Sequence, residues 1–314
     1  RLIMAEETHW FIIVNPTSGN GSSKRKWAKI KTLLERNNFQ FYHQFTTRPK
    51  HSVEIVQDAV LQGFTKFICV GGDGTIHNIV NGIMSQSIVP TASIQLGVIP
   101  IGTGNDWVKT YHIPKNIETA ISLISEENLM CQDIGKIELE GSNDKPVYFN
   151  NLAGIGFDGY VVSKVSKFKH IGALAYLMGA LFGLFKFKSF NAEIDHLSKM
   201  SYKSTLMILV GICQYSGGGM KLTKDSDPKD GLFDVSVAAN FSKISIVLNL
   251  GNLFNGKITA NKKVNCFKTD ALGIRIDGSD PPFIQADGEL IGRGSFNVSL
   301  IPKAFSFYGI KKPN

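Results

Sequence analysis

The run Gly71-Gly72-Asp73-Gly74-Thr75 carries the groups that phosphate chemistry requires. Glycines let the main chain approach a phosphate closely and adopt positive φ. A helix opening directly after them offers its first amides to the anion. Asp73 can hold magnesium or its water shell, a role for hard oxygen ligands. Thr75 can donate to a phosphate oxygen, and Asn78 lies one turn on, on the same helical face. The plain alternative is a tight strand-to-helix turn. Two glycines alone would satisfy that turn, whereas the full run between a strand and a helix favours phosphate binding. Two further carboxylates, Asp287 and Glu289, stand two residues apart. On a strand that spacing puts both on one side, although Asp-Gly is also ordinary turn chemistry.

These groups need a scaffold, and the first third of the chain supplies one by alternation. Apolar runs at 10–14, 39–45, 67–70 and 94–99 read as strands. Segments 22–37, 52–61 and 76–84 have helical spacing, and Trp107 to Tyr111 reads as a short helix. Repeated β-α-β units with short connections predict a parallel sheet covered on both faces, with ligands beyond the carboxyl ends of the strands. After about residue 132 short strand-like runs dominate, at 134–139, 147–152, 205–210, 232–238, 271–276, 283–286 and 296–301. That texture predicts an antiparallel sandwich or barrel-like domain, with helical insertions near 159–185 and 242–254. The expected boundary lies near Asp133, with the tail after Lys303 packing back on the first domain.

Composition narrows the partners without choosing among them. The 314 residues are 43% hydrophobic and 19% charged, with a net charge of +8. The balance suits a globular protein that favours anionic partners. The four cysteines, Cys69, Cys131, Cys213 and Cys266, form no metal or disulfide pattern, and they read as reduced, mostly buried thiols. No basic segment followed by an apolar core appears at the start, so no secretory signal is expected, and Met4 is a candidate natural start. The apolar stretch 171–185 is too short for a spanning helix. It reads as a core helix, with a helix resting on a lipid surface as the alternative. Gly154, Gly156 and Gly159 fit GxGxxG, but no following βαβ unit supports a dinucleotide site. No Walker sequence, metal-spaced histidines or hydrolase elbow is present.

In order along the chain, the motifs resemble those of bacterial soluble diacylglycerol kinases and related lipid kinases. GGDGT itself is similar to the nucleotide-binding motif shared with sphingosine kinases and NAD kinases. Asn15-Pro16-Thr17-Ser18-Gly19 resembles the opening NPxSG segment, and Thr46-Thr47 followed by His51 resembles the end of the second strand. Pro100 to Asp106, reading PIGTGND, resembles PxGTxND. Phe149-Asn150 through Gly154, Gly156 and Asp158 resembles FNxxxxGxGxD. The block from Gly217 to Met220, the sequence Asp230 to Val235 and the late Asp287-Gly288-Glu289 complete the set.

The resemblance implies an N-terminal three-layer, doubly wound parallel-sheet domain of phosphofructokinase and NAD-kinase type over 1–132, with 303–314 returning to it. It implies a C-terminal antiparallel β-sandwich with helical insertions over 133–302. It implies ATP and Mg2+ as cofactors and a membrane lipid hydroxyl as acceptor. Diacylglycerol leads, with phosphatidylglycerol or a sphingoid base as other acceptors. The ATP-binding set becomes Asn15, Pro16, Thr17, Ser18, Gly19, Thr46, Gly71, Gly72, Asp73, Gly74, Thr75, Asn78, Thr103, Asn105 and Asp106. Ser18, Gly19 and the following amides can grip phosphate, while Lys24 and Arg25 read equally as added charge or as a surface helix. Asp106 can join Asp73 around magnesium or cap the next helix.

On the acceptor side the resemblance places Asp287 and Glu289 at the catalytic cleft, across from the nucleotide. Asp287 is read as the base and Glu289 as its partner, with the reverse assignment open. A second, structural magnesium is implied at Asp230, with main-chain oxygens of Asp227 and Leu232; a plain Asp-Gly turn is the alternative. Lys224, Ser226, Val108 and Lys109 depart from the family pattern and bear on lipid choice more than on phosphate handling. The expected setting is cytoplasmic, in peripheral contact with anionic membrane, without nucleic acid; a homodimer would be in keeping with the family. The rivals are an NAD kinase, which shares GGDGT but not NPxSG or FNxxxxGxGxD, and a non-catalytic lipid- or nucleic-acid-binding protein.

Overall fold

The computed structural model describes residues 9–102, 104–165, 183, 186–249, 252 and 255–310. The chain divides into two compact units, one of 1–132 with 303–314 and one of 133–302.

In the first unit, β1 (Trp10–Val14), α1 (Ser18–Arg36), β2 (Phe41–Phe45), α2 (His51–Leu61), β3 (Lys66–Gly71), α3 (Asp73–Ser85), β4 (Gln95–Pro100), α4 (Asp106–Thr110) and α5 (Ile117–Ser125) follow in order. β1 pairs in parallel with both β2 and β3, and β3 pairs in parallel with β4. Ser306 and Phe307 of the returning segment pair in parallel with Gln95 and Leu96 at the other edge of β4. The central strands β1 and β3 are apolar on both sides, as a sheet covered on both faces demands. Ile12, Val14, Ile68 and Val70 pack against Ile30 and Leu34 of α1 and Ile121 and Ile124 of α5. α2 and α3 lie together so closely that a Cβ on Gly82 would sit 2.8 Å from Val56 Cβ. The expected three layers are therefore present. α5, which opens on an Asn116 cap donated to by the Glu118 and Thr119 amides, was not anticipated from the sequence pattern.

Among the described residues the second unit is built mainly of antiparallel strand pairs. It holds β5 (Leu129–Leu139), whose first residues belong to the first unit, then β6 (Val147–Phe149), β7 (Leu152–Gly156), α6 (Phe157–Val165), β8 (Phe190–Asp195) and β9 (Lys199–Gly211). A small hairpin of β10 (Tyr215–Ser216) and β11 (Met220–Lys221) precedes β12 (Phe233–Ala239), α7 (Lys243–Leu248), β13 (Val264–Thr269), β14 (Ala271–Ile276), β15 (Phe283–Ala286), β16 (Glu289–Arg293) and β17 (Phe296–Tyr308). β9 serves two sheets. Its first half pairs with β8, and its second half pairs with β7 and β12. Ser204 takes a positive φ of 49° where the strand changes partners. On one side the order is β16-β15-β7-β9-β12-β13, and on the other β9-β8-β14-β17, which makes the sandwich. Of the two expected helical insertions, Phe157–Val165 and Lys243–Leu248 are seen. The apolar stretch 171–185, Gly183 excepted, lies outside the described residues, as does Met4. Among the described residues no helix is long and apolar enough to cross a membrane. None of the four cysteines forms a disulfide, and Cys69 and Cys213 are buried.

Candidate active site

In the first unit the ends of β1, β3 and β4 bring three loops together. Asn15 follows β1, and its N–H donates to Val70 O at 3.1 Å. Its Nδ2 donates to Thr75 Oγ1 at 2.9 Å. Its Oδ1 accepts from Thr17 N–H at 3.1 Å and from Thr17 Oγ1 at 2.8 Å. One asparagine thus ties the 15–19 loop to the start of α3. Gly19, Asn20 and Gly21 then take left-handed backbone, with φ of 58°, 55° and 79°. Regular helix in α1 begins only after them, at the residue where the sequence pattern starts it. Ser18 N–H returns to Asn15 O at 3.2 Å, and Thr46 N–H donates to Val14 O at 2.9 Å. Lys24 and Arg25 are exposed, and Arg25 Nη1 reaches Asn20 O at 3.0 Å.

The glycines here clear space. A Cβ on Gly71 would stand 2.6 Å from Thr75 Oγ1. A Cβ on Gly102 would stand 2.9 Å from Gly72 Cα and 2.7 Å from Asn105 Oδ1. The loops after β3 and β4 therefore touch back to back, joined also by Ile101 N–H to Gly71 O at 2.8 Å. Asp73 opens α3 and reaches across this contact. Its Oδ2 accepts from Asp106 N–H at 2.9 Å, and its Oδ1 from Trp107 N–H at 3.4 Å. Asp73 thereby caps α4, the duty the sequence reading had offered to Asp106. Asp106 instead pairs through Oδ1 with Lys109 Nζ at 3.0 Å. A Cβ on Gly104 would lie 3.1 Å from Asp73 Oδ2 and 4.0 Å from Asp106 Oδ2, so both carboxylates border the same spot. Asn105, at φ 53°, donates from Nδ2 to Gly102 O at 3.0 Å. Its buried Oδ1 has no hydrogen-bond partner among the described residues. Two hard carboxylates bordering one spot fit a magnesium ion that keeps part of its water. Asn78 is half-buried on α3, while Thr103 lies outside the described residues. Behind the site, Trp107 Nε1 and Tyr111 OH both donate to the buried Gln132 Oε1 at 2.7 Å. The sequence reading gave Gln132 no role.

In the second unit Asp287 and Gly288 form the two-residue turn between β15 and β16. Both have positive φ, 49° and 81°, the pattern of a type I′ hairpin, with Ala286 opposite Glu289. The turn is clamped. Asp287 N–H donates to Leu152 O at 2.9 Å. Its carboxylate accepts from three main-chain amides, Asn150 N–H on Oδ2 and Asn151 and Leu152 N–H on Oδ1, each at 3.0 Å. Glu289 is half-buried at the start of β16. Gly288 N–H donates to Gln285 Oε1 at 2.8 Å, and Gln285 Nε2 donates to Asp158 Oδ2. Burial pushes the Asp158 carboxyl up to about 6, with the Gln285 amide pulling the other way.

In the loop expected to hold a second magnesium, a lysine faces the carboxylates. Asp230 Oδ1 accepts from Leu232 N–H at 3.0 Å, and Oδ2 lies 2.7 Å from Lys268 Nζ. The same ammonium reaches Asp234 Oδ2 at 3.3 Å and Asp225 O at 3.2 Å. Asp227 Oδ1 accepts from Lys229 N–H, and Asp227 O from Asp230 N–H. One ammonium thus faces two carboxylates, Asp230 and Asp234. Asp133 also fixes the loop, its Oδ2 accepting from Gly231 N–H at 2.8 Å. Lys268 and Asp133 were missed because each lies on a distant strand. Among the described residues no three His, Cys, Asp or Glu side chains form a protein-only metal site.

A parallel α/β unit with touching glycine corners, followed in the chain by an antiparallel unit with a clamped carboxylate turn, is the build of an ATP-dependent lipid kinase. Comparison with known proteins agrees. Residues 9–137 match the diacylglycerol kinase catalytic domain, and residues 151–309 match the YegS C-terminal NAD kinase beta sandwich-like domain. The chain belongs to the diacylglycerol kinase family. It is 30% identical over 278 residues to the diacylglycerol kinase of Bacillus subtilis (strain 168), covering 85% of this chain and 88% of that one. It is 27% identical over 308 residues to the protein YtlR of the same organism, whose name carries lipid kinase and no particular lipid; the match covers 94% and 97% of the two chains. The crystal structure of a diacylglycerol kinase from Bacillus anthracis str. Sterne shares the fold with a TM-score of 0.71 at 22% identity, over 97% of each chain.

Proposed function

We propose that this kinase transfers the γ-phosphoryl group of ATP to the hydroxyl of diacylglycerol, giving phosphatidic acid. The observation that carries the reading is the contact of Gly72 with Gly102, which sets Asp73 and Asp106 beside one spot. The first unit binds the nucleotide there. Asn15, Pro16, Thr17, Ser18, Gly19, Thr46, Gly71, Gly72, Gly74, Thr75, Asn78 and Asn105 are assigned to phosphate binding, with Thr103 assigned on sequence alone, and Asp73 and Asp106 would hold magnesium. When bound, the ion neutralises phosphate charge, the main demand of phosphoryl transfer. The acceptor oxygen forms a bond to the γ-phosphorus as the bond to the bridging oxygen breaks and ADP leaves. The hydroxyl proton passes to the second unit's carboxylate pair. Asp287 already uses both oxygens as acceptors for three fixed amides, which suits it to anchor the turn. Proton acceptance is therefore assigned to Glu289, the assignment the motif had left second. The names of the 30%-identical relatives favour diacylglycerol as acceptor. The net charge of +8 supports peripheral contact with anionic bilayers, where that lipid resides.

The test is direct. Purified protein is incubated with magnesium and labelled ATP, and with either diacylglycerol in mixed micelles or NAD. Label in phosphatidic acid is expected. Label in NAD alone would overturn the reading, and label in another lipid of a panel would replace the acceptor while keeping the chemistry.

A further inference from the structure

The segment Phe149 to Asp158 holds glycines that the nucleotide site does not use and an aspartate with no assigned task. Its geometry gives both a purpose. β7 carries Gly154 and Gly156, and α6 begins at Phe157. A Cβ on Gly154 would lie 2.5 Å from Asp158 Oδ2 and 2.7 Å from Leu209 Cδ2. A Cβ on Gly159 would lie 2.3 Å from Phe283 O, on β15. Two missing side chains thus let the first turn of α6 settle on β7 and β15. They leave the Asp158 carboxylate no neighbour at Gly154 except open backbone.

That carboxylate meets Gln285, which is 2% exposed on β15 and carries two polar atoms with nowhere else to go. Gln285 Nε2 donates to Asp158 Oδ2, and Gln285 Oε1 accepts from Gly288 N–H at 2.8 Å. Both ends of one buried amide are satisfied, so its orientation is fixed. The chain Asp158, Gln285, Gly288 N–H ends inside the turn that separates Asp287 from Glu289. Asp287 is held from one side by the three amides of residues 150–152. Gly288 is held from the other side by Gln285. A left-handed pair at φ 49° and 81° is a costly conformation for a non-glycine residue, and it persists where surrounding bonds over-determine it.

We propose that Asp158 and Gln285 are positioning residues that set the Asp287-Gly288-Glu289 turn in the geometry proton transfer needs. This rests on the reading of Asp287 and Glu289 as the acceptor-side carboxylates. Neither residue touches substrate; each acts through the turn. A carboxylate displaced by about 1 Å loses roughly 100-fold in rate, and that is the size of effect expected.

Five variants and two readouts test it. Gln285→Leu and Asp158→Leu each lower kcat roughly 100-fold, with KM for ATP unchanged, because the nucleotide loops are in the other unit. The double variant is no worse than either single one, as expected for one connected chain. Asp158→Asn keeps an acceptor oxygen and recovers most of the lost rate. Gln285→Glu keeps the acceptor for Gly288 but faces Asp158 with a second carboxyl. It works at pH 6, where the two share a proton, and fails at pH 9, where both are ionised; a purely structural role predicts no such profile. Hydrogen exchange of the Gly288 amide supplies a readout free of turnover. It quickens about tenfold or more in both leucine variants as its acceptor is lost or released. Wild-type exchange and wild-type kcat in Asp158→Leu would overturn the proposal, as would additive losses in the double variant. Changed exchange with no effect on kcat would mean that the turn is held as described but that the carboxylates are not the acceptor-side pair.

Discussion

Two aspartates next to glycine, one in each unit, are built differently. Asp73 lies where a parallel strand becomes a helix, and its glycine neighbours matter because they take up no room. Gly71 makes way for Thr75, and Gly72 lies on Gly102. Asp287 lies in a hairpin turn, and its neighbour Gly288 has nothing within 4 Å of a would-be Cβ. There glycine matters for its φ of 81°. Both carboxylates accept main-chain amides, two for Asp73 and three for Asp287. The first motif therefore holds open a surface for a ligand, and the second holds a turn in shape.

The comparison breaks most decisively at the aspartates. Asp73→Ala is expected to remove turnover, with a loss of at least about 1,000-fold in kcat/KM, measured by phosphate transfer to micellar diacylglycerol. Activity near wild type would strip Asp73 of its role. Glu289→Gln should lower kcat by about 100- to 10,000-fold and leave Tm in place. Asp287→Asn should lower both, since the NH2 that replaces one oxygen leaves at least one fixed N–H donor unmet, at about 1–3 kcal/mol. If Asp287→Asn instead loses rate with an unchanged Tm, the two carboxylates exchange roles.

The glycines sharpen it further. Gly102→Ala forces a Cβ against Gly72 and Asn105 and is expected to cost about 1–3 kcal/mol while raising KM for ATP. Gly288→Ala has space but the wrong backbone, so about 1–2 kcal/mol is expected with KM for ATP unchanged. Equal effects on KM would erase the distinction between room and conformation.

Asp158 supplies a pH signature for the second unit alone. Its folded carboxyl, near 6, lies above the ordinary 3.8, so the folded state binds this proton more tightly than the unfolded chain does. Stability from this group is full below about pH 4 and is lost as pH rises through 6. Asp158→Asn should therefore raise Tm at pH 8, and the gain should vanish at pH 4 in thermal scans. The smallest effect is expected at the Asp230 loop. Magnesium added without nucleotide should leave Tm unchanged, and Lys268→Met should cost about 1 kcal/mol. A magnesium-dependent rise in Tm that Asp230→Asn abolishes would restore the metal to that loop.

How much of this was legible depends on distance along the chain. Strand, glycine run and helix at 66–85 are sequence neighbours, so the glycine corner and the parallel sheet could be read directly. The partners of Asp287 lie 135 to 137 residues away, and no local spacing announces them. Gln285 precedes Asp287 by two residues, but the chain has left the strand at Asp287, so the strand period gives no signal for it, and a neutral residue carries no other. β8, β13 and β16 were missed because their sequences mix polar and apolar residues at edges or half-buried faces. α5 was missed between motifs that drew the eye.

The returning segment has a consequence for how the protein is made. Trp107 packs on Phe305 and Phe307 with ring centres 5.9 and 4.9 Å apart, and Ser306 and Phe307 complete the edge of β4. On the ribosome the usual order is N-terminal domain first. Here residues 10–132 emerge early but lack the strand that finishes their sheet until residue 308 has been translated. The continuous stretch 133–302 has all its strands sooner. The first unit, begun first, completes its sheet only after the second unit's strands have been made.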